Sequence, residues 1–352
     1  MNTHGLIVSR IAAGVALLVS AAAPLSAQTT IDGLILANFR EGLVKDSSYR
    51  PAARENNFDV ERAYLNVRSK ADGGVSSRVT IDVDGRRASG NQQTFRLKYA
   101  FVAWNPKGSA LTWKLGAQPT PFIGFEEDLW GYRMQGPVAL DRSRYLSSSD
   151  FGAAVEGAWK GQAVNADAGV FDGETYAGAP GDNRKDLEGR VSVRLRATDN
   201  TSKTGGLRIT GFALIGHATG GADRMRAAGL LSWQTKTITL GAEYAVTIDS
   251  TAADAHTHGR VMSLYGAYQP AARPIGFIAR VDRWDPNTRL APMRADLSAS
   301  EQTRLIAGVS YQVAKSLRVL LDADIASEEH GPATNAFEAA NHNVFLHAEV
   351  KF

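Results

Sequence analysis

Hydrophobic and polar residues alternate along most of the chain. In the last stretch, Val344, Leu346, Ala348, Val350 and Phe352 alternate with mostly polar neighbours. A period of two is typical of a β-strand with one apolar and one polar face. About sixteen segments follow this pattern: 31–40, 58–68, 78–84, 94–104, 111–118, 151–159, 164–171, 187–196, 207–216, 226–233, 237–248, 260–268, 275–284, 304–312, 317–325 and 342–352. The sequence therefore predicts an all-β protein.

The connections between these segments alternate in length. Those after odd-numbered segments are mostly long: 41–57, 119–150, 172–186, 285–303 and 326–341. Those after even-numbered segments are mostly short: 105–110, 160–163, 234–236, 269–274 and 313–316. Outer-membrane barrels combine short periplasmic turns with long outer loops, whereas a soluble sandwich gives no reason for the asymmetry. The pattern predicts a transmembrane antiparallel β-barrel of about sixteen strands, with both termini at the periplasmic side.

Aromatic residues end several of the even-numbered segments: Trp104, Trp159, Trp233, Tyr268, Tyr311 and Phe352. In a membrane barrel such residues form a girdle at one interface. Segment 94–104 sets Phe95, Leu97, Tyr99, Phe101 and Ala103 on one face, and Trp104 breaks that alternation. A bulge or an inward-facing Trp104 would explain the break.

The terminal aromatic, Phe352, predicts that the last strand closes the barrel and is recognised by the outer-membrane assembly machinery. An edge strand of a soluble sandwich is the alternative interpretation of residues 341–352.

The N-terminus has the form of a secretory signal. Arg10 precedes a short apolar core at 11–23, and Leu25-Ser26-Ala27 is a small-residue cleavage site. The core is shorter than the roughly 20 residues of a membrane-spanning helix, which disfavours an anchor. We predict a signal peptide at 1–27 and a barrel at 28–352, located in a Gram-negative outer membrane and surrounded by its lipid.

Composition narrows the chemistry. The chain has no cysteine, so disulfides and thiolate metal sites are excluded. Its formal net charge of +3 gives no reason to expect a nucleic acid partner. No Ser/His/Asp arrangement is legible, and the sequence predicts no catalytic residue, cofactor or metal site. A barrel-embedded hydrolase is therefore disfavoured, and we predict a protein that is not an enzyme.

Charged residues occupy the polar positions of many segments. An Arg or Lys on the lipid face costs about 2–4 kcal/mol at mid-depth, so these charges predict a water-filled lumen. Basic candidates for the pore wall are Arg96, Lys98, Lys114, Arg190, Arg194, Arg196 and Arg208. They either pair with acidic neighbours and stiffen the wall or form a path for anions, which rings of Arg and Lys favour.

The connection 119–150 is the longest and is rich in charge, Trp and Tyr. It carries Glu126, Glu127 and Asp128, followed by Arg133. We predict that this loop, after strand 5, folds into the lumen and narrows it opposite the basic wall. A solvated loop, or a cation site on the three carboxylates, is the alternative.

Four stretches resemble the phosphate-selective porin O/P-like family of bacterial outer-membrane porins. They are 58–83 (FDVERAYLNVRSKADGGVSSRVTIDV), 99–133 (YAFVAWNPKGSALTWKLGAQPTPFIGFEEDLWGYR), 279–287 (ARVDRWDPN) and the terminal strand. The resemblance implies a sixteen-stranded, usually trimeric barrel with a loop folded into the pore. It also implies passive diffusion of small hydrophilic solutes or inorganic anions, with phosphate selectivity in the best-known members.

Those members use an arginine ladder and a lysine-rich inward loop. Arg190, Arg194 and Arg196 are the matching ladder candidates, whereas the fifth loop, 217–225, contains no lysine. The predicted function is that of a porin for passive ion and solute transport. The alternative is a plugged structural or adhesive barrel without channel activity, which would carry no ohmic current.

Overall fold

A computed structural model describes residues 28–43, 56–88, 92–178, 181, 183–217, 221–250, 256–288, 301–329 and 337–352. The predicted signal peptide, 1–27, lies outside the described residues, so that part of the domain assignment stays a prediction. Among the described residues, no helix is long and apolar enough to cross a membrane.

Sixteen antiparallel strands form a closed barrel, in which every strand pairs with its sequence neighbours and β1 pairs with β16. The strands are β1 Gln28–Gly42, β2 Asn56–Lys70, β3 Val75–Ala88, β4 Gln92–Trp104, β5 Leu111–Pro119, β6 Ser149–Trp159, β7 Val164–Phe171, β8 Asp186–Arg196, β9 Gly206–His217, β10 Asp223–Gln234, β11 Ile238–Ser250, β12 His256–Tyr268, β13 Ile275–Asp285, β14 Gln302–Ala314, β15 Leu317–Glu329 and β16 Phe337–Lys351. The predicted fold class and strand number are confirmed.

The two faces of the strands reverse the pattern of a soluble protein. On β9, Ile209 and Ile215 are 54% and 57% exposed, whereas Arg208 and Thr210 are fully buried. Soluble domains bury the aliphatic residues and expose the charged ones. A ring of strands with an apolar outer surface satisfies its backbone hydrogen bonds internally, as a bilayer requires.

The connections also keep the predicted asymmetry. Short turns at 71–74, 160–163, 235–237 and 315–316 follow even-numbered strands. Trp104, Trp159, Tyr268 and Tyr311 are exposed at the ends of even-numbered strands. This is the placement expected of aromatic residues at a membrane interface.

Strand β4 contains a bulge that overturns part of the predicted face assignment. Thr80 of β3 pairs with Tyr99 and Ile81 pairs with Leu97, which leaves Lys98 as the extra residue. Such a bulge changes which side chains point inward. Tyr99 and Ala103 are buried, not outward as predicted, and Trp104 faces outward beyond the bulge.

The connection between β5 and β6 is folded. It contains helix α1 (Ile123–Trp130), a 3-10 turn at Arg133–Gln135 and the short helix α2 (Ala139–Arg142). Gly131 ends α1 in the left-handed conformation, with φ of 69°, and its N–H donates to the Glu127 carbonyl. Glycine adopts this conformation without a steric penalty, so the chain can turn sharply there.

Candidate functional site

The 120–148 segment packs against one part of the barrel wall through apolar side chains. On strands β9–β15, Phe212, Leu214, Leu230, Val261, Ile278, Ile306 and Leu320 form a buried patch, which we call the apolar sector. The segment covers it with Phe122, Ile123, Phe125, Leu129, Trp130, Met134 and Leu140. Burying apolar surface is the main favourable term in such packing, so the apolar sector fixes where the segment lies.

Aromatic and polar contacts fix the orientation of the segment. The Trp130 ring lies 5.3 Å from that of Tyr265 in an edge-on arrangement. The Tyr132 hydroxyl lies 3.0 Å from that of Ser310. The Gly131 carbonyl accepts a 2.7 Å hydrogen bond from Arg318. Contacts with several separate strands hold the segment as one unit.

A pair of buried carboxyl groups lies beneath α1. Glu126 of the helix and Glu243 of β11 are both buried, and no donor group from the rest of the described chain reaches their oxygens. Two buried carboxyl groups that interact this closely disfavour the state in which both are ionised. Burial raises the pKa of Glu126 to about 7. Glu126 therefore anchors the helix.

The opposite part of the wall, on β2–β4, has a polar inner face, which we call the polar sector. Arg62 and Asp82 form a buried ion pair at 2.7 Å. The Tyr176 hydroxyl donates to the same Asp82 carboxylate at 3.0 Å. Arg78 donates to Asn66 at 2.8 Å and to Thr80 at 3.0 Å. This network holds charged side chains in fixed positions on the polar sector.

Lys98 lies at the β4 bulge. Its ammonium donates to the Tyr64 hydroxyl at 3.3 Å. Its carbonyl accepts a 2.6 Å hydrogen bond from Ser149, where β6 begins. β5 pairs with β4 only from Ala100 to Trp104. Lys98 thus lies just before the part of β4 that pairs with β5, and it lines both cavities together with Arg133 of the 120–148 segment.

Lys98 and Arg133 line two cavities. The first, of about 290 Å³, is also lined by Asp141 and Tyr176. The second, of about 620 Å³, is also lined by Tyr64, Arg78 and Glu127. Arg133 forms ion pairs with Glu61 at 3.2 Å and Glu127 at 3.0 Å. Lys98 and Arg133 thus belong to the lining of both cavities, one on the polar sector and the other on the 120–148 segment.

The predicted acidic residues of the loop separate in the structure. Glu127 and Asp128 line the larger cavity, and Asp128 forms an ion pair with Lys203 at 2.6 Å. Glu126 is fully buried against the wall instead.

The predicted basic residues lie in several places. Arg96 lines the smaller of the two cavities. Lys114 pairs with Glu156 at the side of the barrel, in a third cavity of about 360 Å³. Arg190 is buried and donates to the Pro121 carbonyl at 2.8 Å, so it holds the start of the loop.

The remaining arginines lie near the short turns. Arg208 is fully buried and bonds the carbonyls of Gly205 and Gln162. Arg194 bonds the Gly161 carbonyl at 3.0 Å. Arg196 is exposed at the end of β8. Of the three residues predicted as a ladder, Arg190 lies beneath the loop and the other two lie at the strand end.

The sequence alone does not identify three residues that contact Lys98, Asp82 and Arg133. Tyr64, Tyr176 and Glu61 contact Lys98, Asp82 and Arg133 respectively. Tyr64 lies on the polar face of segment 58–68, and this position indicates that its side chain faces the lumen. Tyr176 lies in the connection after β7, whose fold no periodic pattern predicts.

Among the described residues, no group of three His, Cys, Asp or Glu side chains could hold a metal ion. The possible cation site on the acidic loop residues is therefore not formed by that part of the chain.

Solved structures with the same fold are outer-membrane proteins. The anion-selective porin from Comamonas acidovorans superimposes with a TM-score of 0.65 at 12% identity, over 93% of this chain and 100% of that chain. The outer membrane channel DcaP of Acinetobacter baumannii gives 0.64 at 11%, over 93% and 97%. The trimer form of OmpT from Vibrio cholerae gives 0.61 at 12%, over 93% and 99%. These similarities establish the sixteen-stranded barrel fold.

No protein-family model matches the sequence, and no curated protein matches it either. The resemblance to phosphate-selective porins therefore stays a prediction.

Proposed function

We propose that the protein is an outer-membrane porin, through which small hydrophilic solutes diffuse passively. The observation that carries the proposal is a closed barrel with two cavities that share Lys98 and Arg133 in their linings. The exposed apolar outer face supports a membrane location. Diffusion through such a passage needs no catalytic residue and no cofactor.

We infer that the 120–148 segment crosses the lumen and narrows it. It contacts β2 through Arg133 and Glu61, β8 through Pro121 and Arg190, and β14 through Tyr132 and Ser310. Strands so far apart in a ring are reached together only from the inside. The passage is then left between this segment and the polar sector.

We also propose that the passage prefers anions. Lys98 and Arg78 lie on the polar sector with no carboxylate in ion-pair distance in the described part of the chain, whereas Arg62, Arg133 and Lys203 are paired. Unpaired cations in a low-dielectric passage raise the local concentration of anions. A preference for phosphate or another inorganic anion would be one form of this selectivity.

The location and the assembly complete the proposal. The chain is exported by the signal peptide at 1–27, inserted by the outer-membrane assembly machinery through β16 and surrounded by outer-membrane lipid. Its short turns face the periplasm. A homotrimer is proposed because OmpT of Vibrio cholerae, which has the same fold, is described in a trimer form.

Conductance in a planar bilayer tests the function. A porin produces stepwise increases of current in KCl, and the current is proportional to voltage. In a KCl gradient, we expect a reversal potential whose sign indicates anion selectivity. Lys98→Met shifts the reversal potential toward cation selectivity, because it removes a positive charge from the passage. Lys107→Met is the matched control, since Lys107 is exposed in the β4–β5 turn. Absence of any step would favour the plugged structural barrel.

A further inference from the structure

The ammonium of Lys98 is surrounded by aromatic rings. It lies 4.8 Å from the ring centroid of Tyr64, 5.5 Å from that of Tyr99 and 5.9 Å from that of Tyr176. Cation–π contacts stabilise a buried ammonium without cancelling its charge, whereas a carboxylate partner would cancel it. Lys98 is thus held in place, buried, with its positive charge available to a ligand.

A second cation lies against the same aromatic group. The Arg78 guanidinium is 4.4 Å from the centroid of Tyr99, the ring that Lys98 also contacts. Its hydrogen bonds go to Asn66 and Thr80, which are neutral. Two cations without an ion-pair partner among the described residues therefore flank Tyr99 on the wall of the larger cavity.

The hydrogen-bonding capacity of this cluster is incompletely used. The Lys98 ammonium has three protons, and one of them is donated to the Tyr64 hydroxyl. The Tyr64 hydroxyl, as acceptor, still has its own proton to donate. These donors point to one or two oxygens of an anion, and the flanking rings offer apolar contact to whatever the anion is attached to.

We propose that the passage at Lys98 binds aromatic carboxylates, with the carboxylate at Lys98 and the ring of the ligand against the tyrosines. This inference rests on the proposed porin function and specifies its substrate class. A phosphate would need several converging donors. Arg62 and Arg133, which line the cavities with Lys98, are already paired with Asp82, Glu61 and Glu127, and Arg78 already donates to Asn66 and Thr80. A flat monoanion fits the remaining donors better.

The test uses the full-length protein and three probes: benzoate, acetate and cyclohexanecarboxylate. Each probe is titrated against the chloride current, and its binding is also measured calorimetrically in detergent, which requires no conduction. We expect benzoate to bind more tightly than acetate, which lacks a ring, and than cyclohexanecarboxylate, which lacks a planar one. Offset or edge-on ring contacts contribute about 2- to 10-fold in affinity.

Variants separate the two parts of the ligand. Lys98→Met weakens all three probes, by about 10- to 100-fold for the loss of a hydrogen bond to a charged group. Tyr64→Leu removes the ring as well as the hydroxyl donor, so it weakens benzoate about 2- to 10-fold more than it weakens acetate. Tyr64→Phe, which keeps the ring, retains the preference of benzoate over acetate, and Lys107→Met binds all probes like the wild type.

Equal affinities for benzoate and acetate, or an equal loss of both in Tyr64→Leu, would overturn the inference while chloride conductance still supported the porin. Tight benzoate binding by calorimetry without any conductance would uphold the site and reject the porin.

Discussion

The two sectors of the inner wall differ in what they bury. The apolar sector on β9–β15 carries residues such as Leu230, Ile306 and Leu320, and the 120–148 segment covers them. The polar sector on β2–β4 carries Arg62, Asp82 and Lys98 and borders the cavities. An inward apolar side chain is favourable only where protein excludes water from it. The distribution of these apolar residues therefore decides where the 120–148 segment packs.

This difference also explains how the 120–148 segment can be anchored on one side and line the cavities on the other. Its apolar side is buried against β9–β15, and its charged side, with Glu127, Asp128 and Arg133, is turned toward the cavities. Residues that anchor the loop and residues that line the cavities are thus separate, even when they are neighbours in sequence, as Glu126 and Glu127 are.

The largest expected effect comes from removing the aromatic anchor of the apolar sector. Trp130→Ala deletes a fully buried ring that packs on Tyr265 and costs about 3–5 kcal/mol of loop packing. We expect larger, noisier single-channel currents and faster proteolysis within 120–148. Trp113→Ala is the control, because Trp113 is exposed on the outer face and its loss leaves the current level unchanged. Wild-type currents in Trp130→Ala would show that the apolar sector does not position the loop.

A second variant pair tests the outer face of the polar sector. Leu97 is 45% exposed beside the bulge, so Leu97→Arg places a charge in lipid at a cost of about 2–4 kcal/mol at mid-depth. Arg96→Leu, on the neighbouring residue that lines the smaller cavity, avoids that cost. Folding yields in lipid vesicles should fall strongly for Leu97→Arg only. Equal yields would contradict the face assignment of this part of β4.

The barrel was predictable from sequence because its signals are local. The alternation of Val79, Ile81 and Val83 with polar residues reports which face meets lipid, and the lengths of the connections report the order of turns and loops. The β4 bulge was not predictable in the same way. It depends on pairing with β3, and a one-residue shift reverses the face of every later residue, including Tyr99 and Ala103.

The apolar sector is visible in the sequence as adjacent apolar residues, which strict alternation does not explain. Leu230-Leu231, Leu305-Ile306 and Leu320-Leu321 are apolar pairs, in which one member is buried inside and the other is exposed to lipid. Such pairs break the alternation expected of a polar lumen and indicate a covered wall. The contacts of Lys98 could not be predicted, because they join β2, β4 and the connection after β7.

The third prediction concerns the pH dependence of the loop anchor. Burial raises the pKa of Glu126 to about 7, above its ordinary value of 4.5. Between these two pH values, the Glu126 carboxyl group is ionised in a detached loop and neutral in the anchored one. Anchoring is therefore strongest below a pH of about 4.5 and declines as the pH rises to about 7. Current noise should therefore increase from pH 5 to pH 8. The double variant Glu126→Gln/Glu243→Gln should abolish this change, and Glu127→Gln, one position along, should retain it.

The smallest expected effect comes from substituting basic residues that lie away from Lys98. Lys114 is paired with Glu156 and Arg194 bonds a turn carbonyl, so the double variant Lys114→Gln/Arg194→Gln should shift the reversal potential much less than Lys98→Met does. The measurement is the reversal potential in a KCl gradient near 0.1 M, where the screening length is about 10 Å, repeated near 1 M, where it is about 3 Å. The effect of Lys98→Met should shrink at the higher salt because screening weakens its field. A double-variant shift equal to that of Lys98→Met would place the selective charges along the whole wall, and the polar sector would lose its special role.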